Sequence, residues 1–512
     1  MIRRAATALV LLAAVAVPTA LLRAQQDPEA ALRLFADAER LAAAGDLQAA
    51  LRNWELLVQQ FGGADIADDA LLRVAEGRWA LGDIDAARLA IASLKQDYAR
   101  TPGAAGAFVL DGRLRVATGR SSEDLVAARE AFRNVVLLFG RADYPGLAWR
   151  AEALVRAGEV SVLLGEPQAA AAAFLAAVED EPDSGWTPAA RLQLATVLMR
   201  SGDWAPGAEI LQRLIDEHDG AEGEAGEAGA VAAAARRRLE LGFRLLSRPA
   251  RGQQPWSGAR QVRISGPQLD EPVGIDASED NRLVIVDPGL PLIAVVEADG
   301  TLSHRVPSSE AHHPWWAAPG ATPYVATRRS VLMPVSRERQ EFARPENNEM
   351  KPVEQIVAGG RGIFRQWLLV DANRRQVLLF DEGGGFLSMV MGGDDSEPVD
   401  VAVDHLGRFY VLDRRAEAVY RFNAAAGERT RVVQRDWRRP EAIAVDALGN
   451  IYVLDRDART IDVFDAGGAH RWQLGPQLPG GIELRSPRDL AVDGRGRIYV
   501  ADRDLKAFLE VE

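Results

Sequence analysis

Three stretches late in the chain carry one pattern: VDVAVDHLGRFYVLD (399–413), EAIAVDALGNIYVLD (441–455) and RDLAVDGRGRIYVAD (488–502). Each is a pair of alternating apolar runs, which read as strands, joined by Asp-x-x-Gly, a turn composition, so each is one β-hairpin. The residue that closes the second run recurs backwards through the chain as Asp502, Asp455, Asp413, Asp371, Thr327 and Asp287, giving steps of 47, 42, 42, 44 and 40 residues. A strand-only repeat of this period predicts propeller blades. Residues 261–512 are expected to form six of them. The sequence stops at FLEVE (508–512), one strand short of a four-stranded sixth blade, and QVRIS (261–265) precedes the first blade. Pairing those two segments closes the ring and removes two exposed sheet edges.

The preceding half obeys a different rule. Residues 27–246 read as helix, punctuated by Gly45-Asp46, Gly82-Asp83, Gly119-Arg120, Gly165-Glu166 and Gly202-Asp203 at spacings of 37, 37, 46 and 37. Five residues past four of these glycines stands a small residue (Ala50, Ala87, Ala170, Gly207), and nine past stands a large apolar one (Trp54, Ile91, Phe174, Leu211). The third unit shows the same pair at Ala128 and Phe132 after a four-residue insertion. The glycine ends one helix, the polar residue caps the next, and the small residue lets the pair approach while the large one fills the seam. DGAEGEAGEAGA (219–230) reads as an exposed loop, residues 230–248 as a last helix covering the end of the stack, and 248–260 as an interdomain linker.

This unit resembles the tetratricopeptide repeat, in five helical pairs over residues 27–246. From 261 onward VAVDHLGRFYVLDRRAEAVYRF and IAVDALGNIYVLDRDARTIDVF resemble NHL-type propeller repeats. The first three blades depart from that motif, with Ser278 at the turn aspartate, Thr327 at the closing position and a longer turn in the third. The fold class expected is a multidomain α and β chain: an all-α solenoid followed by an all-β six-bladed propeller.

MIRRAATALVLLAAVAVPTALLRAQQ reads as a secretory signal, Arg3 and Arg4 preceding an apolar run from Ala5 to Leu22, with cleavage expected after Ala24. The chain has no cysteine, which excludes disulfides, thiolate metal sites and a lipid-bearing residue at the cleavage point. No integral membrane segment is expected after cleavage, so the product is expected in the periplasm or outside a bacterial cell. Removing residues 1–24 takes three arginines and no acid, moving the formal charge from −13 to −16. So acidic a protein is not expected to bind nucleic acid.

Asp404, Asp446 and Asp493 are expected to cap their own hairpins, which explains their recurrence with the blade period. The pairs Asp413-Arg414, Asp455-Arg456 and Asp502-Arg503 are read either as ion pairs between blades or as a charged rim for a partner. Two residues past Pro352, Pro398 and Pro487 stand Glu354, Asp400 and Asp489. If these meet at the mouth of the central channel they could hold calcium, a cation that takes oxygen ligands. The resembling propellers include lactonases and lyases with a channel metal, so an enzyme reading rests on this set. Of the six histidines (His218, His304, His312, His313, His405 and His470) none is expected on an innermost strand, which weighs against zinc. HHPWW, with His312, His313, Trp315 and Trp316, is read as a loop near Asp436-Trp437-Arg438, together offering a candidate binding face with Arg414, Arg456 and Arg503. No nucleotide-binding loop, nucleophile elbow or EF-hand is present, and no catalytic or cofactor-binding residue is assigned.

These readings favour a non-catalytic, exported scaffold of the bacterial cell envelope that binds a protein or peptide. A metal-dependent propeller hydrolase or lyase, and a carbohydrate or cell-wall binding protein, remain the alternatives.

Overall fold

The computed structural model describes residues 28–119, 121–218, 227–246, 254–265, 268–316, 323–346, 349–361, 366–404, 407–423 and 429–512. Residues 1–24, expected as a secretory signal, together with His405 and most of the expected loop 219–230, lie outside them. Two compact units result: one reaches to Asp111 and includes Asn134–Trp149, the other comprises Gly112–Arg133 and Arg150–Glu512.

Eleven helices precede the first strand among the described residues, running in pairs from Pro28–Ala43 with Leu47–Phe61 to Thr187–Arg200 with Trp204–Glu217, then Glu227–Leu246. Gly45, Gly82, Gly165 and Gly202 stand at φ of 87°, 80°, 78° and 96°, a left-handed turn that a side chain resists. The small residues Ala50, Ala87, Ala128, Ala170 and Gly207 are buried, as are Trp54, Ile91, Phe132, Phe174 and Leu211. The expected capping is partial. Asp46 and Asp83 accept from Ala49 N (2.9 Å) and Ala86 N (3.2 Å), whereas Glu166 and Asp203 make no side-chain cap bond. In the third unit Ser121 and Asp124 take over, bonded to each other and to each other's backbone N–H.

Six four-stranded antiparallel sheets follow, each in chain order from the innermost strand outward except the last. That blade is Pro487–Val492, Ile498–Asp502 and Ala507–Val511, completed by Ala259–Gln261 from the other end of the propeller sequence. The closing strand begins two residues earlier than expected, with Ala259 opposite Val511 and Gln261 opposite Leu509. Part of the supposed linker is therefore embedded. Trp256 is buried, donates to Gly496 O (2.9 Å) and meets Tyr452 and Trp472 edge-on.

The last helix does more than cover the helical stack. Leu241 and Leu245 share one apolar core with Trp256, Tyr452 and Leu509. At its polar edge Arg238 pairs with Glu279 (3.0 Å) and Arg244 donates to Arg495 O (3.2 Å), so this helix lies on the first-hairpin turns of blades 1 and 6.

Those turns are built as expected. Asp446 accepts from Leu448 N, Asn450 N, Asn450 Nδ2 and Tyr452 Oη, and Asp404 and Asp493 repeat the arrangement with Tyr410 and Tyr499. In blade 1 Ser278 Oγ substitutes, accepting from Arg282 N (2.9 Å). The closing aspartates hold the connection arriving from the previous blade: Asp455 accepts from Arg438 N, Arg439 N and Ala458 N, and Asp502 from Arg485 N, Ser486 N and Leu505 N.

Candidate functional site on the propeller axis

On each innermost strand one residue stands opposite the position just before the closing aspartate or threonine: Gly274, His313, Ala358, Asp400, Ala442 and Asp489 in blades 1 to 6. Small residues thus alternate with ionisable ones around the ring. Glycine and alanine in blades 1, 3 and 5 leave room for the side chains of blades 2, 4 and 6 to meet. A ligating atom from each of His313, Asp400 and Asp489 lies within 4.8 Å of the others. His313 Nε2 stands 3.3 Å from an Asp400 oxygen and its Nδ1 3.9 Å from an Asp489 oxygen.

Both aspartates also join blades. Asp400 accepts from Ile443 N of blade 5 (2.7 Å) and from Val401 N, and Asp489 accepts from Ile275 N of blade 1 (2.9 Å) and from Leu490 N. Asp276 makes a third joint a step further along the channel, accepting from Trp316 N of blade 2 (2.7 Å) and Ala277 N. Each bonded carboxylate oxygen keeps a second acceptor site.

Burial decides the protonation of this cluster. It pushes Asp400 and Asp489 well above the ordinary aspartate range, the Asp400 charge raising Asp489 further, while the backbone donors pull both back. It pushes His313 down to about 3 and Asp276 up to about 7. The 3.3 Å approach taken alone would read as an ion pair. Dehydrating an imidazolium and two carboxylates together is costly, so burial disfavours the charged form of each of the three.

His313 and Asp489 line two cavities, one on each side of this partition. The lower, about 390 Å³, lies toward the Asp-x-x-Gly turns and receives Arg237 from the last helix. The upper is about 470 Å³ and lies where the innermost strands begin. A β-bulge at the start of the innermost strand in blades 3, 4, 5 and 6 inserts one extra residue before the ring position. Those residues, Val357, Val399, Glu441 and Arg488, line the upper cavity with Val273 and His312.

The arginines at that mouth differ in what holds them. Arg414 pairs with Glu397 and Glu441 (both 2.9 Å), Arg456 and Arg439 reach Glu441 (3.4 and 3.5 Å), and Arg503 reaches Glu271 (3.4 Å). The Asp-Arg dipeptides therefore split: each aspartate serves its own loop, and each arginine spans to a glutamate. Arg375 and Arg488 line the cavity with no ion pair among the described residues, and Arg488 has its Nε buried without a hydrogen-bond partner. Burial and the charge of Arg456 and Arg503 both depress the Arg488 pKa.

Several expected positions move. Glu354 is not on the axis: it borders a separate depression with Arg344, Lys351 and Asp371. Pro352 ends an inserted hairpin, Ala343–Glu346 with Glu349–Pro352, and the innermost strand of blade 3 begins only at Ile356. His313 occupies an innermost strand, His313–Trp316, contrary to the loop expected there. Its neighbours are core residues. Trp315 stacks on Tyr324 (5.9 Å between centroids), and Trp316 packs under Arg282 (5.0 Å). His312 is held between the carbonyl oxygens of Glu310 and Ile356. Trp437 is buried and donates to Asp462 (3.0 Å), while Asp436 and Arg438 on either side are exposed.

The donor set has a chemical preference. Calcium takes six to eight oxygens, whereas one imidazole with two carboxylates suits zinc or manganese. The residues fit such an ion, and with it bound the site gains a Lewis acid.

Residues 189–221 match the tetratricopeptide repeat family, spanning the helices Thr187–Arg200 and Trp204–Glu217. No curated protein matches the sequence. Among solved structures the chain is similar to streptogramin B lyase (9% identity, 50% of this chain and 97% of that one, TM-score 0.39). It is also similar to virginiamycin B lyase from Staphylococcus aureus (11%, 48% and 81%, TM-score 0.36) and to an auxiliary nutrient binding protein from Bacteroides thetaiotaomicron (11%, 50% and 76%, TM-score 0.38). Likenesses this distant say nothing about chemistry. The N-terminal half is helical with a tetratricopeptide-repeat match at residues 189–221, and the C-terminal half is a six-bladed propeller.

Proposed function

We propose that this chain is a non-catalytic scaffold that binds a protein or peptide partner, exported to the periplasm or beyond, with the upper mouth of the propeller as its recognition face. The observation that carries this reading is the pair of cavity-wall arginines, Arg375 and Arg488, without ion pairs among the described residues, at a mouth where Arg414, Arg456 and Arg503 are matched to glutamates. In a chain of net charge −13 that local excess of positive charge favours an anionic group on the partner. No helix among the described residues is long and apolar enough to cross a membrane. The test is affinity capture from envelope extract with residues 25–512, wild type against an Arg375→Glu, Arg488→Glu variant. A partner retained by the wild type and lost at least tenfold from the variant is the expected result. Equal retention by both would overturn the choice of face.

The axial cluster favours a second reading, a divalent-metal-dependent hydrolase or lyase. Calorimetric titration with Zn²⁺ or Mn²⁺ after chelator treatment should then show one saturable site, absent in His313→Ala, and about 2.7 kcal/mol of added stability at a hundredfold excess over Kd. Titration without saturation, or equal binding by His313→Ala, would remove this reading. The carbohydrate reading loses its footing, because Trp315, Trp316 and Trp437 are buried.

A further inference from the structure

The upper cavity is chemically two-sided. Its ring of six positions sets Val273, Val357 and Val399, from blades 1, 3 and 4, beside His312, Glu441 and Arg488 from blades 2, 5 and 6. Val273 precedes its strand, and Val357 and Val399 sit at bulges, which turn a side chain toward the axis instead of into a blade. Apolar side chains exposed to a water-filled mouth cost free energy unless something apolar covers them. Across from them, Glu441 pairs with Arg414, Arg439 and Arg456, and its pull on Arg488 does not offset burial and the neighbouring arginines. The Arg488 Nε is shielded from solvent and lacks an acceptor, a state that costs stability until an acceptor arrives. At about 470 Å³ the space falls in the range of small-ligand pockets.

We infer that this cavity is a subsite for a carboxylate carried on a short apolar stem, the guanidinium of Arg488 taking the carboxylate and Val273, Val357 and Val399 packing the stem. A planar guanidinium matches a carboxylate with two parallel hydrogen bonds, which a lysine cannot reproduce. A peptide ending in an aliphatic residue presents this chemistry, and so does a free branched-chain acid. The inference rests on the upper mouth being the recognition face and adds what that face selects.

The probes are acetyl-Ala-Ala-Leu with a free C-terminal carboxylate, the same peptide as its C-terminal amide, and 4-methylpentanoate, each titrated calorimetrically into residues 25–512. The acid peptide is expected to bind at least tenfold more tightly than the amide. Arg488→Gln should lose at least tenfold for the acid and almost nothing for the amide, and Arg488→Lys should recover only part of that loss. Val399→Trp, which fills the apolar side without touching the charge, should abolish binding of both peptides while its near-ultraviolet circular dichroism stays that of the wild type. Comparable binding of 4-methylpentanoate assigns the subsite to small acids, and binding of the peptide acid alone assigns it to chain ends. Equal affinity for acid and amide, an undiminished Arg488→Gln, or no binding of any probe overturns the inference. If a partner is captured through Arg375 and Arg488 but these probes fail, the recognition face stands and carboxylate selection falls.

Discussion

Asp502→Ala is expected to destabilise the protein by about 3 kcal/mol or more, one of the largest losses available to a single side chain in the propeller. The aspartate is fully buried and its two oxygens receive the backbone N–H groups of Arg485, Ser486 and Leu505. Alanine leaves those donors without an acceptor, and each buried unsatisfied donor costs about 1–3 kcal/mol. The position matters as well, because Asp502 ends the second strand of the one blade assembled from both ends of the propeller sequence. Loosening it weakens the strand that Ala507–Val511 must pair with before Ala259–Gln261 can dock. Urea denaturation compares this variant with Asp504→Ala, an exposed neighbour where about ±0.5 kcal/mol is expected. A difference under 1 kcal/mol between the two would show that the closing aspartates recur for some reason other than holding their loops.

That recurrence made the propeller legible. Asp-x-x-Gly and the closing aspartate are local chemistry, each satisfying backbone groups within its own blade, so they mark the blade period wherever they occur. The axial cluster is another matter, since its members are far apart in sequence and share only a register. Counting back from the closing residues shows where the signal lay. Thirteen residues before Asp287, Asp371, Asp413, Asp455 and Asp502 stand Gly274, Ala358, Asp400, Ala442 and Asp489, and fourteen before Thr327 stands His313. An acid two residues past a proline marks the ring position at Pro398 and Pro487 but not at Pro352, which closes an inserted hairpin that no local pattern separates from a blade. The insertion falls within the 44-residue step between Thr327 and Asp371, most of its length offset by the short outer strands Ser330–Leu332 and Arg339–Glu341. The tryptophans of HHPWW misled for a related reason: beside proline they resemble a loop, yet four residues suffice for an innermost strand whose alternate side chains fill the core between blades.

The axial aspartates should also write themselves into the pH dependence of stability, most measurably at Asp276. Its folded pKa, about 7, lies far above the ordinary aspartate value of 3.8, because burial opposes the charge more than Trp316 N and Ala277 N support it. Folding therefore takes up a proton between those two values. The stability from that proton is complete below about pH 4 and is lost as pH rises through 7, a total of about 2–4 kcal/mol at 1.36 kcal/mol per pKa unit. His313 acts in the opposite sense. Its folded value of about 3 lies below the ordinary 6.5, so its contribution is present above about pH 6.5 and is lost as pH falls toward 3. In the wild type the two slopes oppose each other between pH 4 and 6.5, and a single pH curve conceals both. Asp276→Asn exposes the difference: it keeps one acceptor oxygen, faces the second N–H with an amide that cannot accept, and carries no charge at any pH. The offset from the lost hydrogen bond is constant, but the stability of Asp276→Asn relative to wild type should climb by about 2–4 kcal/mol from pH 4 to pH 8, followed by urea denaturation at each pH. A flat difference across that range would mean that Asp276 is ionised throughout, and that the channel at this level is wetter than its packing against Trp316 implies.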